Sequence, residues 1–172
     1  YPLFSSGNST LVVDGRSWLV VEDPGDASRF DFTSGDSISI EAWVRMDSVA
    51  DGAQTYIIGK GRLQHSGFEK DNQNFALRLR GIGGRAHPSF LFHSAGADGR
   101  FHRWNSGAGF EPDGLWHHVA VSFTFGDADS GRAWVDGAPS AGTWDMGGSS
   151  ADRDPVVDND QIWIGSSKGN GF

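Results

Sequence analysis

The chain has 172 residues, 37% hydrophobic and 21% charged, a size and balance that suit one compact domain with its own core. A net charge of −8 and a pI near 5.0 exclude the clustered Lys and Arg that phosphate binding requires, so no nucleic-acid partner is expected. The absence of Cys excludes disulfides, iron–sulfur clusters, covalent haem and thiolate zinc sites, and no apolar run approaches the roughly 18 residues of a membrane span.

Glycine contributes 25 residues and only four of the 22 acidic residues are Glu, a bias toward turns over helices. The N-terminal "YPLFSSGNST" has neither the basic end nor the apolar stretch of a signal peptide, so a signal of an exported protein would be removed or lie in a longer parent. Its "YPLF" is apolar enough to be buried. "STLVVDG" and "SWLVVED" then predict two short strands closed into a hairpin through Asp14-Gly15. "DSISIEAWVRM" alternates, with Ile38, Ile40, Ala42, Val44 and Met46 on one face and Ser39, Glu41, Trp43 and Arg45 on the other. "YIIGKG" follows, then "NFALRLRG", which places Phe75, Leu77 and Leu79 inward and Ala76, Arg78 and Arg80 outward. "PSFLFHS" is another strand, whereas "AGADGRFHRWNSGAGFEPDG" offers no period and is expected to be a long loop. "WHHVAVSFTF", "GRAWVDG" and "DQIWIGSS" complete at least nine strands, with "GDADSG" as a plain hairpin loop and Asp136 opening a tight turn. With no helical stripe and no internal repeat, the pattern predicts an all-β antiparallel sandwich of jelly-roll type.

In "WHHVAVSFTF" the apolar set Val119, Val121, Phe123 and Phe125 draws His117 to the core side and His118 to the opposite face. Adjacent strand residues point apart, so the two rings do not converge on one metal ion, and no G-x-S-x-G nucleophile elbow is present. His117 is read as a structural histidine bonded to a backbone group, and His118 as the one open to function.

The ordered pieces I-E-A-W-V, W-H-H-V-A, V-D-G and I-G-S, together with "LVVDGRSWLVVEDPGD" and "GRAWVDGAPSAG", resemble the laminin-G-like, concanavalin A-like lectin/glucanase jelly rolls across nearly the whole chain. "RSWLVVEDPGDASRFDF" and "GTWDMGG" look most like the module in large exported planctomycete-type proteins with cytochrome c-like domains. No C-x-x-C-H occurs here. Such modules usually continue past "IGSSKGNGF" into a closing strand, so the resemblance implies a single domain over 1–172 lacking that strand, either because the sequence is a fragment or because another segment completes the sheet, an unfilled edge being an association hazard.

Glycosidases of this fold carry an E-x-D-x-x-E strand that sets two carboxylates on one face. The four Glu residues, 22, 41, 69 and 111, form no such triplet, so no catalytic residue is assigned and no enzyme is expected. Glu41 beside Arg45 reads instead as an ion pair or a sugar hydrogen-bonding group. Trp43, Trp134 and Trp163 fall on the polar sides of their strands, which suggests a platform for stacking sugar rings, edged by Glu41, Arg45, Arg78 and His118. The alternative is that loops such as 94–113 fold over that face and bury the rings. The resemblance further implies a calcium ion at the sandwich rim, and the matching positions are Asp14, Asp158 and Asp160, which otherwise read as solvated turn carboxylates. The expected function is an exported binding module, secreted, periplasmic or at the cell surface, that recognises glycan or an extracellular protein surface. The alternative is a structural interaction domain that positions neighbouring domains or subunits.

Overall fold

The computed structural model describes residues 9–61 and 72–167; "YPLF", Glu69 and the closing "KGNGF" lie outside them. The strands are β1 (Leu19–Val21), β2 (Ser37–Arg45), β3 (Gln54–Lys60), β4 (Phe75–Ile82), β5 (Arg85–His93), β6 (Phe101–Ser106), β7 (Trp116–Thr124), β8 (Arg132–Val135), β9 (Ala138–Ser140), β10 (Gly142–Met146) and β11 (Ile162–Ile164). They form a seven-stranded sheet in the order β1-β11-β3-β4-β5-β6-β10 and a four-stranded sheet in the order β2-β7-β8-β9, antiparallel throughout. No α-helix occurs among the described residues, as the turn-rich composition predicts. The chain is the expected all-β sandwich.

The two inner faces meet in an aromatic core. Phe90 and Phe92 of β5 lie against Phe123 of β7 and Phe125, with centroids 5.2–6.1 Å apart for Phe90 and 5.4–5.6 Å for Phe92. Such tilted and edge-on pairs each add about 0.5–1.5 kcal/mol beyond the area they bury. Ile38 and Ile40 join this cluster, and Ala42, Val44 and Met46 pack on a second one around Leu79, Ala86, Phe110 and Val119. The inward assignment of β2 and β7 therefore holds, and with it the outward set that carries the candidate site.

Three expectations are corrected. The run before Asp14-Gly15 forms no strand, and no hairpin closes there; β1 pairs with β11 instead, Val20 opposite Trp163. The segment predicted as a long loop contains β6, whose inward residues His102, Trp104 and Ser106 are buried but carry no aliphatic period. Because β6 lies in the seven-stranded sheet, this stretch does not cover the face that carries Trp43. Finally, the outward side of β4 is not solvent: Ala76 is fully buried in a small cluster with Tyr56 and Leu91, and Arg78 is 4% exposed.

The turn between β8 and β9 fixes the edge of the smaller sheet. Val135 pairs with Ala138 across Asp136-Gly137, whose φ values are 51° and 79°. Two successive positive φ angles are the signature of a type I′ hairpin turn, which Asp-Gly suits because both tolerate the left-handed region.

Candidate functional site

The outer face of the four-stranded sheet brings five sequence-predicted residues together. Register places Glu41 opposite Ala120, Trp43 opposite His118 and Arg45 opposite Trp116, while β8 sets Trp134 opposite Ala120. Taking about 4.8 Å between strands and about 3.4 Å per residue, the Trp43 and Trp134 backbones stand about 12 Å apart on a diagonal over β7. That separation lets two rings of one extended ligand meet different side chains.

Between them lies an open groove of about 530 Å³ lined by Ser39, Glu41, His118, Ser122, Trp134 and Gly137 among others. Its polar edge is the His118 Nε2 to Glu41 Oε2 contact at 3.3 Å, and the Trp43 ring tilts against His118 at 5.3 Å. Glu41 thus meets His118 and forms no ion pair with Arg45, which corrects the pairing expected from sequence. Hydroxyls of Ser39 and Ser122, the Glu41 carboxylate and an indole face form a mixed lining of the kind that orients a polyhydroxylated ligand.

Asp136 anchors this face from below. One carboxylate oxygen accepts from the His118 backbone N–H at 2.9 Å, and the other lies 2.8 Å from His117 Nδ1. His117 Nε2 is 3.3 Å from Asp113, and the ring stacks on Phe110 at 4.5 Å. His117 is thus fastened in the scaffold, but by two carboxylates rather than the backbone group expected. Burial pulls its pKa down, yet the Asp136 and Asp113 carboxylates outweigh this and hold it above the usual histidine value.

The remaining predicted residues lie elsewhere. Trp163 sits in β11 of the seven-stranded sheet with its ring 5.9 Å from Trp18, and Ile162 beside it points into the core, so Trp163 faces out from the opposite side of the sandwich. Arg78 is on that same sheet, its guanidinium 5.5 Å over the Tyr56 ring and 3.5 Å from Ser89 Oγ. A single platform of three tryptophans with Arg78 is therefore overturned by sheet membership, which local alternation does not reveal.

Trp116, 37% exposed, shares the His118 face and was missed, although the same alternation that placed His118 also places it. Also missed was Lys60 in "IIGKG", fully buried with its ammonium 2.5 Å from Asp23 and 2.6 Å from Asp31.

Of the calcium candidates, Asp158 and Asp160 converge. The Asn72 side-chain amide donates to Asp158 at 2.8 Å and to Asp160 at 2.5 Å, and the Asp160 N–H donates to Asp158 Oδ1 at 3.0 Å. Burial, with the Asp160 charge adding to it, lifts the Asp158 carboxyl above the usual carboxylate range. The two crowded carboxylates are donors of the hard oxygen type calcium takes, whereas the Asn72 group that faces them is an N–H donor. Asp14 does not join them: it is exposed, accepts the Arg16 N–H at 2.9 Å, and no group of three or more metal-binding side chains forms among the described residues.

Residues 4–172 match the concanavalin A-like lectin/glucanases superfamily, in its laminin-G-like form. No curated protein matches the chain.

Proposed function

Because the chain belongs to the concanavalin A-like lectin/glucanases superfamily, a fold of binding modules for carbohydrate or protein that also includes glycosidases, we propose that it is a non-catalytic glycan-binding module whose site is the outer groove of the four-stranded sheet. The observation that carries this reading is the convergence of Trp134, His118 and Glu41 with Ser39 and Ser122 on one open, solvent-reachable groove. Indole faces stack on the apolar faces of sugar rings, and the carboxylate, imidazole and hydroxyls supply directional hydrogen bonds to hydroxyl groups. Glu41 faces a histidine rather than a second carboxylate, and among the described residues that line the groove no acid pair of the kind glycoside hydrolysis uses is present, which supports the non-catalytic reading.

In this reading Asp158 and Asp160 hold a calcium ion that steadies the rim at the other polar cluster, and the module works outside the cell. The likeness of its wording to modules of large exported multidomain proteins supports that placement. No described helix is long and apolar enough to cross a membrane.

Isothermal titration against a panel of neutral and acidic oligosaccharides tests the site. Wild type is expected to bind at least one class, and Trp134→Ala to lose that binding while keeping its melting temperature within a few degrees. Binding unchanged in Trp134→Ala and in Glu41→Ala would place the site elsewhere.

A further inference from the structure

Lys60 lies at the end of β3 with Phe75 across from it on β4 and Ile162 on β11, both of them core residues. Its side chain and that of Asp23 are fully buried, and that of Asp31 is 8% exposed. Water that would favour the separated charges is absent there, so an ammonium passes a proton to a neighbouring carboxylate more easily than it does in solution. The neutral pair that results is an amine nucleophile beside a carboxylic acid.

The groups around that pair are placed for condensation. Lys60 Nζ is 2.5 Å from Asp23 Oδ2, which with a C–O length of about 1.23 Å puts the nitrogen within about 3.7 Å of the carboxyl carbon. Reacting atoms in a near-attack arrangement stand about 3–3.5 Å apart. The contact is not aligned as a hydrogen bond, and Asp23 Oδ2 accepts none among the described residues. Asp23 Oδ1 accepts the Gly25 N–H at 3.0 Å, and a fixed backbone donor at that oxygen stabilises the negative charge it gains when the carbon is attacked. Asp31 Oδ1 accepts from the Lys60 ammonium at 2.6 Å, while the Ser28 N–H at 2.9 Å holds Asp31 Oδ2 from the other side. That leaves Asp31 oriented as a proton carrier at the nitrogen.

We propose that Lys60 and Asp23 condense into an intramolecular isopeptide bond. Asp31 takes one proton from the ammonium, the freed amine attacks Asp23 Cγ, and the Gly25 N–H holds the tetrahedral centre through Oδ1. The bond from Cγ to Oδ2 then breaks. That oxygen departs as water with two protons that began on the nitrogen, one of them delivered by Asp31, and the third stays on the amide nitrogen. Asp31 ends ionised as it began, and no co-reactant is consumed. The product sits in a dry interior, which keeps water from reversing the step. Until the bond forms, the cluster stands as an ion pair. The link ties the segment between β1 and β2 to β3 and is independent of whether the groove on the other sheet binds a glycan.

Intact-mass spectrometry of the denatured full chain tests this, on freshly purified protein followed through days of incubation. Wild type is expected to contain a species one water lighter than its sequence, growing with time. A tryptic digest of it should contain residues 17–29 joined to residues 46–62, with Lys60 uncleaved. The joined peptide decides the assignment, because a succinimide at an Asp-Gly pair such as Asp136-Gly137 also loses water. Asp23→Ala should stay at full mass. Asp31→Asn, its fold checked by far-UV circular dichroism, should link at least about a hundredfold more slowly. Wild type at full mass throughout overturns the proposal, and so does a lighter species that lacks the joined peptide. Linking of folded Asp31→Asn at the wild-type rate overturns it as well, since Asp31 is its proton carrier.

Discussion

Asp136 shows how much one side chain carries here. It occupies a left-handed position at φ 51°, takes the His118 N–H and faces the His117 ring. Asp136→Ala loses both contacts and puts a residue with no polar handle at positive φ, a cost of about 1–2 kcal/mol given the partial exposure of the pair. Thermal melts should register that as a drop of about 2–8 °C for a chain of this size. The pH dependence has a definite sign. Because the His117 pKa is raised on folding, its contribution is complete below the ordinary histidine value and fades as pH rises through the raised one. The Asp136 carboxyl is pushed up by burial but drawn lower overall by His117 and the His118 N–H, so its contribution is complete above the ordinary carboxylate value and fades in acid. Stability supplied by this pair is therefore greatest between those limits, and the melting temperature of wild type should decline from pH 6 to pH 8. Asp136→Asn keeps the turn and should flatten that decline; an equal slope in both proteins would remove the ion pair as its cause. Lys60 sits in a drier setting. Lys60→Met leaves Asp23 and Asp31 without their cation inside the protein, which costs about 3–5 kcal/mol in denaturant titrations. A loss below 1 kcal/mol, on the order of an exposed pair, would mean that water reaches the cluster.

At the scale of elements, the sheets were legible where side chains alternate between apolar and polar. β2, β4 and β7 follow the period of two, and the outward set Glu41, Trp43, His118 and Trp134 followed from parity alone. β6 and β10 were hidden because their inward positions are filled by the buried His102 and Trp104 and the half-buried Trp144 rather than by aliphatic residues, and His102 is satisfied by Gly147 O and Ser94 Oγ, which no local pattern displays. The fate of Trp163 was illegible for another reason: parity gives a face of a strand, but which sheet the strand enters depends on pairing partners over a hundred residues away, as β1 with β11 shows, and for Arg78 the local pairing of β4 with β3 and β5 still leaves open which sheet those strands build. The β6–β10 pair also has a steric requirement. A Cβ on Gly142 would lie 2.2 Å from Asn105 O and 2.5 Å from the Trp104 ring, both on the opposing strand. Neither a backbone oxygen nor a buried indole yields easily, so Gly142→Ala is expected to cost about 1–3 kcal/mol. Urea denaturation checks this, and an unchanged midpoint would show that β10 can slide off β6 at little cost.

Across the whole molecule, polar contacts at one end tie segments that are remote in sequence. Gln161 donates to Glu22 and Asn159 to Asp26, Lys60 joins Asp23 and Asp31, and Asn72 joins Asp158 and Asp160. The last of these brings two carboxylates together. Burial and the neighbouring Asp160 hold the Asp158 carboxyl above its ordinary value, so the folded state takes up a proton more readily than the unfolded chain does. With no cation bound, ionised Asp158 therefore opposes folding at neutral pH, and that penalty is relieved as pH falls through the raised value. A bound calcium ion would relieve it without a proton, adding about 2.7 kcal/mol when its concentration is a hundredfold above the dissociation constant. Three melts follow from this. Calcium should raise the melting temperature of wild type relative to chelator at pH 7. Asp158→Asn should raise the melting temperature measured in chelator, because the repulsion with Asp160 is gone while the Asn72 contact can persist. The same variant should lose the response to calcium, because a carboxylate ligand has been replaced by a neutral one. Identical wild-type melts in calcium and in chelator would remove the ion from this rim, while a stabilised Asp158→Asn protein would still assign the strain to the carboxylate pair.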